Sequence, residues 1–220
     1  MGAEDDEGAM IQLVRAVLAQ GVDGFGGVAS SAVLADQYLS DPSYPSLDAR
    51  VDALIRWEAS RNFGTGFVTG LGGLITLPVA VPASMYANWF LQARLAGAIA
   101  SLYGYNTSEE RVRTLVLLSL IGDAGREVVK GVGVQVGNKL GMKAVQAVPG
   151  KVLIEINKQV GFRLITKAGK TGVINLVKVV PVAGGLVGGA VDGASCVAVG
   201  RMAKSLFARK LPALGVDAAP

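Results

Sequence analysis

The residue types that most often carry catalysis are nearly missing from this 220-residue chain, which has no His and a single cysteine, Cys196. Their scarcity excludes His-based proton transfer, a Ser-His-Asp triad, a Cys-His pair and a zinc site of ordinary ligand type. One cysteine also excludes an internal disulfide. No metal and no cofactor is expected. Glu155 and Asp192 remain as isolated acids in basic, apolar surroundings. Nothing in the sequence sets their separation, and such acids more often neutralise a neighbouring Lys158 or Arg163 than cleave a bond. Gly169-Lys170-Thr171 imitates the end of a phosphate-binding loop, but that motif needs a glycine at position 164, which is Leu164. It reads instead as a helix-ending glycine followed by a solvated lysine. The chain is therefore read as non-enzymatic, with a lipid-directed enzyme as a distant rival.

Charge says more than chemistry does. Residues 1–60 carry ten acids and three bases, whereas residues 61–220 carry seven acids and eighteen bases. Between Arg126 and Lys210, fourteen bases face only Glu127, Glu155 and Asp192. Hydrophobic residues make up 51% of the chain and charged ones 17%, with a mean hydropathy of +0.45. A disordered chain has the opposite balance. A cationic, apolar half points to anionic lipid, where each nearby Lys or Arg gains about 1 kcal/mol. Nucleic acid ranks below it, because aromatic residues for base stacking are only 6% of the chain. Arg94 is the most notable cation, because it ends a run of 32 uncharged residues, 62–93, beside Gln92. It either snorkels to the surface or holds an anionic headgroup above an apolar cavity. Lys158, Arg163 and Lys170 are the other candidates for the headgroup, with Gln92 as a neutral donor.

These residues need elements to position them, and helix signals dominate. Met10, Leu13, Val14 and Val17 stripe one face of a helix over about 9–20. A second helix is expected over 27–38, and a turn at Pro42 and Pro45. Ser46 then caps a helix through Asn62, with Val51, Leu54, Ile55 and Glu58 at helical spacing. The uncharged run is long enough to span a bilayer, but five glycines, Pro78 and Pro82 divide it. A buried or re-entrant hairpin fits better, its second arm running to Tyr103 and stopping at Gly104. Leu71, Leu74, Leu77, Trp89 and Phe90 are its candidate membrane- or cavity-lining residues. Tyr86, Trp89 and Phe90 read either as an interfacial aromatic edge or, preferably, as core aromatics of one long helix.

Thr107-Ser-Glu-Glu110 has the spacing of a capping box and opens a further helix. Helices over 151–167 and after Pro181 follow, with Val173–Val180 left ambiguous between helix and strand. Gly133, Gly137 and Gly141 are four apart, as are Gly185, Gly189 and Gly193. That spacing clears one helix face for close packing, within the bundle or between copies. The start of the chain is acidic and lacks a secretory signal. It also lacks the Ser or Thr that a myristoylation site needs at position 6, which is Asp6. The fold expected is all-α, a compact Gly-rich bundle around a central apolar helical hairpin. Residues 1–45 are an acidic extension with short helices, 46–212 the main domain and 213–220 a tail.

The ordered set of segments resembles the EcsC family of bacterial proteins. The resemblance runs through Thr65-Gly-Phe-Val-Thr-Gly-Leu-Gly-Gly73, Leu77-Pro78, Pro82, Gln92-Ala-Arg94 and Tyr103-Gly-Tyr105. It continues with Glu110-Arg111, Gly169-Lys170 and the Gly-rich stretch from Pro181 to Asp192. It covers roughly residues 47–210. Its namesake is encoded beside an ABC transporter, so the resemblance implies a protein of the bacterial cytoplasm or the inner face of the membrane, with a transporter as a partner and no established enzymatic activity. The function expected is binding of anionic lipid or fatty acid at the membrane periphery. The rivals are a soluble protein that inserts to form pores and a self-assembling scaffold, a homo-oligomer packed through its glycine faces.

Overall fold

The computed structural model describes residues 3–63, 83–131, 148–176 and 181–208. These form eight helices and no strand: α1 (Ala3–Asp23), α2 (Ser31–Leu39), α3 (Leu47–Phe63), α4 (Ala83–Leu102), α5 (Glu110–Ser119), α6 (Ala124–Gly131), α7 (Gly150–Leu176) and α8 (Pro181–Phe207). The all-α reading holds for every described segment.

α4 is the axis of the molecule. It is mostly apolar and rich in alanine, its Asn88, Gln92 and Arg94 being paired against neighbouring helices, and a helix of that kind is stable only when surrounded. α1, α2, α3, α5 and α8 all pack against it, and from Leu95 to Ala100 every residue is buried. Its small side chains allow close crossings. A Cβ on Gly97 would lie 2.9 Å from Ser31 of α2, and one on Gly21 of α1 would lie 2.7 Å from the Ala93 Cβ. α3 lies along α8, where a Cβ on Gly200 would meet Ile55 at 2.7 Å. α7 crosses α1 and α5, and α6 rests on α7. The expected stop after α4 is present: Gly104 is left-handed (φ 77°), and the Tyr105 N–H returns to the Ala100 carbonyl at 3.0 Å.

Several boundaries differ from expectation for local reasons. α1 is longer at both ends. α2 starts at Ser31 rather than 27, because Gly26 and Gly27 take positive φ in a turn and Ser30 caps the helix, accepting from the Val33 N–H. Ser46 caps α3 as expected, accepting from the Ala49 N–H at 3.1 Å. The capping box at Thr107 does not form. Asn106 takes the Ser108 N–H at 3.0 Å, the N-cap falls on Glu109, and the Thr107 carbonyl accepts from Arg113. α7 does not end at Gly169 but continues through the β-branched residues to Leu176.

Residues 13–22 are not peripheral to this fold. Leu13, Val14, Val17, Leu18 and Val22 are buried in the same core as Val51, Ile99 and Leu206. No break in packing separates residues 1–45 from the rest of the described core. The first arm of the expected hairpin, with Leu71, Leu74 and Leu77, lies outside the described residues, as do Gly133, Gly137 and Gly141.

Candidate functional site

A cleft of about 440 Å³ opens where α7 crosses α1 and α5. Each helix supplies a wall for a simple reason. α1 presents Val14 and Leu18 from its buried stripe, α5 contributes Thr114 from its core face, and α7 adds Ile154, which is 67% exposed at the rim. The volume lies within the range of about 300–1,000 Å³ usual for small-molecule sites. Arg15, Arg113 and Lys158 also line the cleft, with Glu110 as the one acid of the lining. Arg113 is already engaged, donating to Asp23 at 2.6 Å and to the Thr107 carbonyl at 2.9 Å. Arg15 is exposed and makes no ion pair among the described residues. At the cleft wall the Asn157 Oδ1 is shielded from solvent yet accepts no hydrogen bond. A buried amide oxygen without a donor is costly, and rotation of that amide offers a donor instead. A cleft lined by both apolar side chains and cations suits an amphiphile with an anionic head.

Of the headgroup candidates whose side chains are described, Lys158 is the one that lines this cleft. Arg163, on the opposite side of α7, pairs with Glu127 of α6 at 3.4 Å and donates to the Ala124 carbonyl. Lys170 belongs to α7, but its side chain lies outside the described residues. Arg94 is deep in the fold at 7% exposure, where Nε donates to the Ala29 carbonyl at 2.7 Å and Nη1 lies 3.9 Å from the Glu58 carboxylate. Burial lowers the pKa of its guanidinium, and the Glu58 charge opposes that shift. It neither snorkels nor faces the cleft; it ties α4 to α3 and to the turn before α2.

Gln92 is also interior. Its Nε2 donates to Asn88 at 2.9 Å and to the Ser195 hydroxyl at 3.1 Å, and Asn88 in turn donates to Asp192 at 2.9 Å. Together they form a polar seam between α4 and α8, with Gln92 Oε1 left without a partner. Trp89 and Phe90 are 2% and 1% exposed, so they are core aromatics and not an interfacial edge. The reason is the surrounded position of α4. Glu155 accepts from Gln159 at 2.7 Å on the outer face of α7, and Asp192 lies in the α4–α8 seam. The acid neutralising Arg163 is thus Glu127 and not Glu155. Gly193 faces the Ala59 carbonyl of α3, 3.5 Å from a built Cβ, while Gly185 and Gly189 lie within α8. No group of metal-binding side chains occurs among the described residues, and no described helix is long and apolar enough to cross a membrane.

A model of the EcsC protein family matches residues 33–211. The chain belongs to the EcsC family. No curated protein and no solved structure is significantly similar to it. The EcsC match starts inside α2, so α1, one wall of the cleft, precedes the matched region although it shares the core. Arg15 and Asn157 were missed as site residues. Arg15 had a signal in the sequence, as the only base in the first 49 residues. Asn157 had none, because its isolation depends on what α1 and α5 place around it.

Proposed function

We propose that this EcsC-family protein is a peripheral-membrane protein that binds an anionic amphiphile, a fatty acid or phospholipid, in the α1–α5–α7 cleft. The observation that carries the reading is that apolar Val14, Leu18 and Ile154 line the same cleft as the cations Arg15 and Lys158. The acyl chain lies against Val14, Leu18 and Ile154. The anionic head sits between Arg15 and Lys158, where charge-assisted hydrogen bonds are about twice as strong as neutral ones. The basic excess between Arg126 and Lys210 draws the protein to an anionic leaflet, the inner face of the bacterial membrane. The reading assigns no chemical step to the site.

Native mass spectrometry of gently purified protein, followed by organic extraction, tests the cleft. A defined co-purifying lipid or fatty acid is expected. Charge reversal of Arg15 and Lys158 together should weaken sedimentation with anionic vesicles at least tenfold, at about 1 kcal/mol or more per charge. A single reversal at Arg201, which is exposed and belongs to the basic excess but does not line the cleft, measures the general attraction of one charge to the vesicle and should leave any co-purifying lipid in place. A protein that carries no lipid and ignores anionic vesicles would remove the reading.

A further inference from the structure

A second cleft, of about 560 Å³, lies between the end of α2, the turn after it and the outer face of α3. Three of its lining residues are aromatic: Tyr38, Tyr44 and Trp57. Tyr38 and Tyr44 stack with centroids 5.9 Å apart and planes at 20°. Trp57 stands across α3 from the core and is 58% exposed. A large indole left in solvent beside two phenols is an unusual use of surface, since aromatic residues normally bury their rings.

The charges of this cleft come in opposite kinds. Asp41 lines it, and the Ser43 side chain and N–H hold its carboxyl below the usual carboxylate range, so it is ionised at neutral pH. Arg56 lines it as well, and its guanidinium makes no ion pair among the described residues. The turn is rigidly tied. Arg50 donates to the Tyr38 carbonyl at 2.9 Å and to the Asp41 carbonyl at 3.1 Å, which fixes the backbone that carries the Tyr38 ring and the Asp41 carboxylate.

Aromatic faces attract quaternary ammonium groups, and a nearby carboxylate adds to that attraction. A guanidinium recognises phosphate by planar, charge-assisted hydrogen bonds. We infer that the Tyr38–Tyr44–Trp57 cleft binds a zwitterionic phospho-ammonium group of the phosphocholine type, its ammonium against the rings and Asp41 and its phosphate on Arg56. A purely anionic ligand would be repelled by Asp41, and a plain hydrocarbon would leave both charges unused. This site is separate from the α1–α5–α7 cleft and shares no lining residue with it.

The test uses the full chain and phosphocholine itself, read by tryptophan emission. The protein has two tryptophans, and Trp89 is only 2% exposed, so a ligand-induced change reports on Trp57. A saturable change is expected, and 3,3-dimethylbutyl phosphate, in which a neutral tert-butyl group replaces the trimethylammonium, should bind at least tenfold more weakly. Asp41→Asn and Arg56→Gln should each weaken phosphocholine binding several-fold while leaving the helical circular dichroism unchanged. Trp57→Leu, followed by calorimetry, should weaken it at least tenfold. Sedimentation with phosphatidylcholine vesicles, competed by free phosphocholine, identifies a lipid headgroup as the source; saturable binding without vesicle association identifies a free phospho-ammonium compound. No saturable change, equal affinity for the neutral isostere, or binding that survives Trp57→Leu and Asp41→Asn would each overturn the inference. None of these outcomes bears on lipid retention in the other cleft.

Discussion

Glu58 sits on the apolar stripe of α3 with Val51, Leu54 and Ile55, and is only 3% exposed. A carboxylate there is tolerable because Arg94 reaches it from α4 at 3.9 Å and Arg61 from one turn along α3 at 3.6 Å. Taking away the carboxylate leaves Arg94 charged and buried. Glu58→Gln should therefore cost about 3–5 kcal/mol, measured by urea unfolding. Glu58→Leu combined with Arg94→Met should cost less than either change alone, because no uncompensated charge stays inside. The tyrosines make a second prediction at this scale. Burial pushes the Tyr38 and Tyr86 hydroxyls up to about 12, and burial with the Asp48 hydrogen bond pushes Tyr103 higher still. A raised acid pKa favours the folded state while the phenol is protonated. That contribution is complete below about pH 10 and is lost as pH rises from there through the folded values. Absorbance at 295 nm should show Tyr38, Tyr86 and Tyr103 ionising only as helical circular dichroism collapses. A smooth titration of all five near pH 10 in folded protein would contradict this burial.

Glycine has opposite values in different parts of one element, and α1 contains both. Gly21 lies where α1 crosses α4, and a Cβ there would meet the Phe90 carbonyl at 2.8 Å as well as Ala93. Backbone cannot yield cheaply, so Gly21→Ala should destabilise by about 1–3 kcal/mol, the usual range for overpacking. Gly8 has nothing within 4 Å, and Gly8→Ala should stabilise by about 1 kcal/mol through helix propensity alone. Thermal unfolding of the two variants should shift in opposite directions. The four-residue glycine spacing in α8 was visible in the sequence, but among the described glycines Gly193 of that set is approached only at 3.5 Å, whereas Gly21, Gly97, Gly125 and Gly200 have neighbours within 2.9 Å. Spacing reveals that a face is bare. Only the packed partner shows whether anything approaches it.

At the scale of the molecule, α1 is both a wall of the α1–α5–α7 cleft and a cover for α4. Deleting residues 1–23 would bare the side of α4 around Phe90 and Ala93 and remove Leu13, Val17 and Val22 from the core. Loss of cooperative thermal unfolding, with aggregation, is expected; a sharp transition at unchanged temperature would show that the region matched by the family folds by itself. Periodicity and capping chemistry are local, which is why the all-α class, the Ser46 cap, the stop at Gly104 and the α1 stripe could be read directly. The EcsC relationship was likewise carried by the order of short segments. Charge is summed over the chain, so the acidic–basic asymmetry needed no structure either. What a given charge faces is decided by residues far away in sequence. Arg94 looked like a surface or headgroup cation because it ended an uncharged run, and it is interior because α3 brings Glu58 to it over 36 positions. Arg15 and Lys158 become one site only when α7 is laid across α1, and Tyr38, Asp41 and Trp57 only when α3 folds back past the turn. The sequence alone determined which segments coil and where charge accumulates, since those depend on neighbours within a few residues. Tertiary packing alone decided which cations are used up in the interior and which line a cleft, because that depends on long-range burial and pairing.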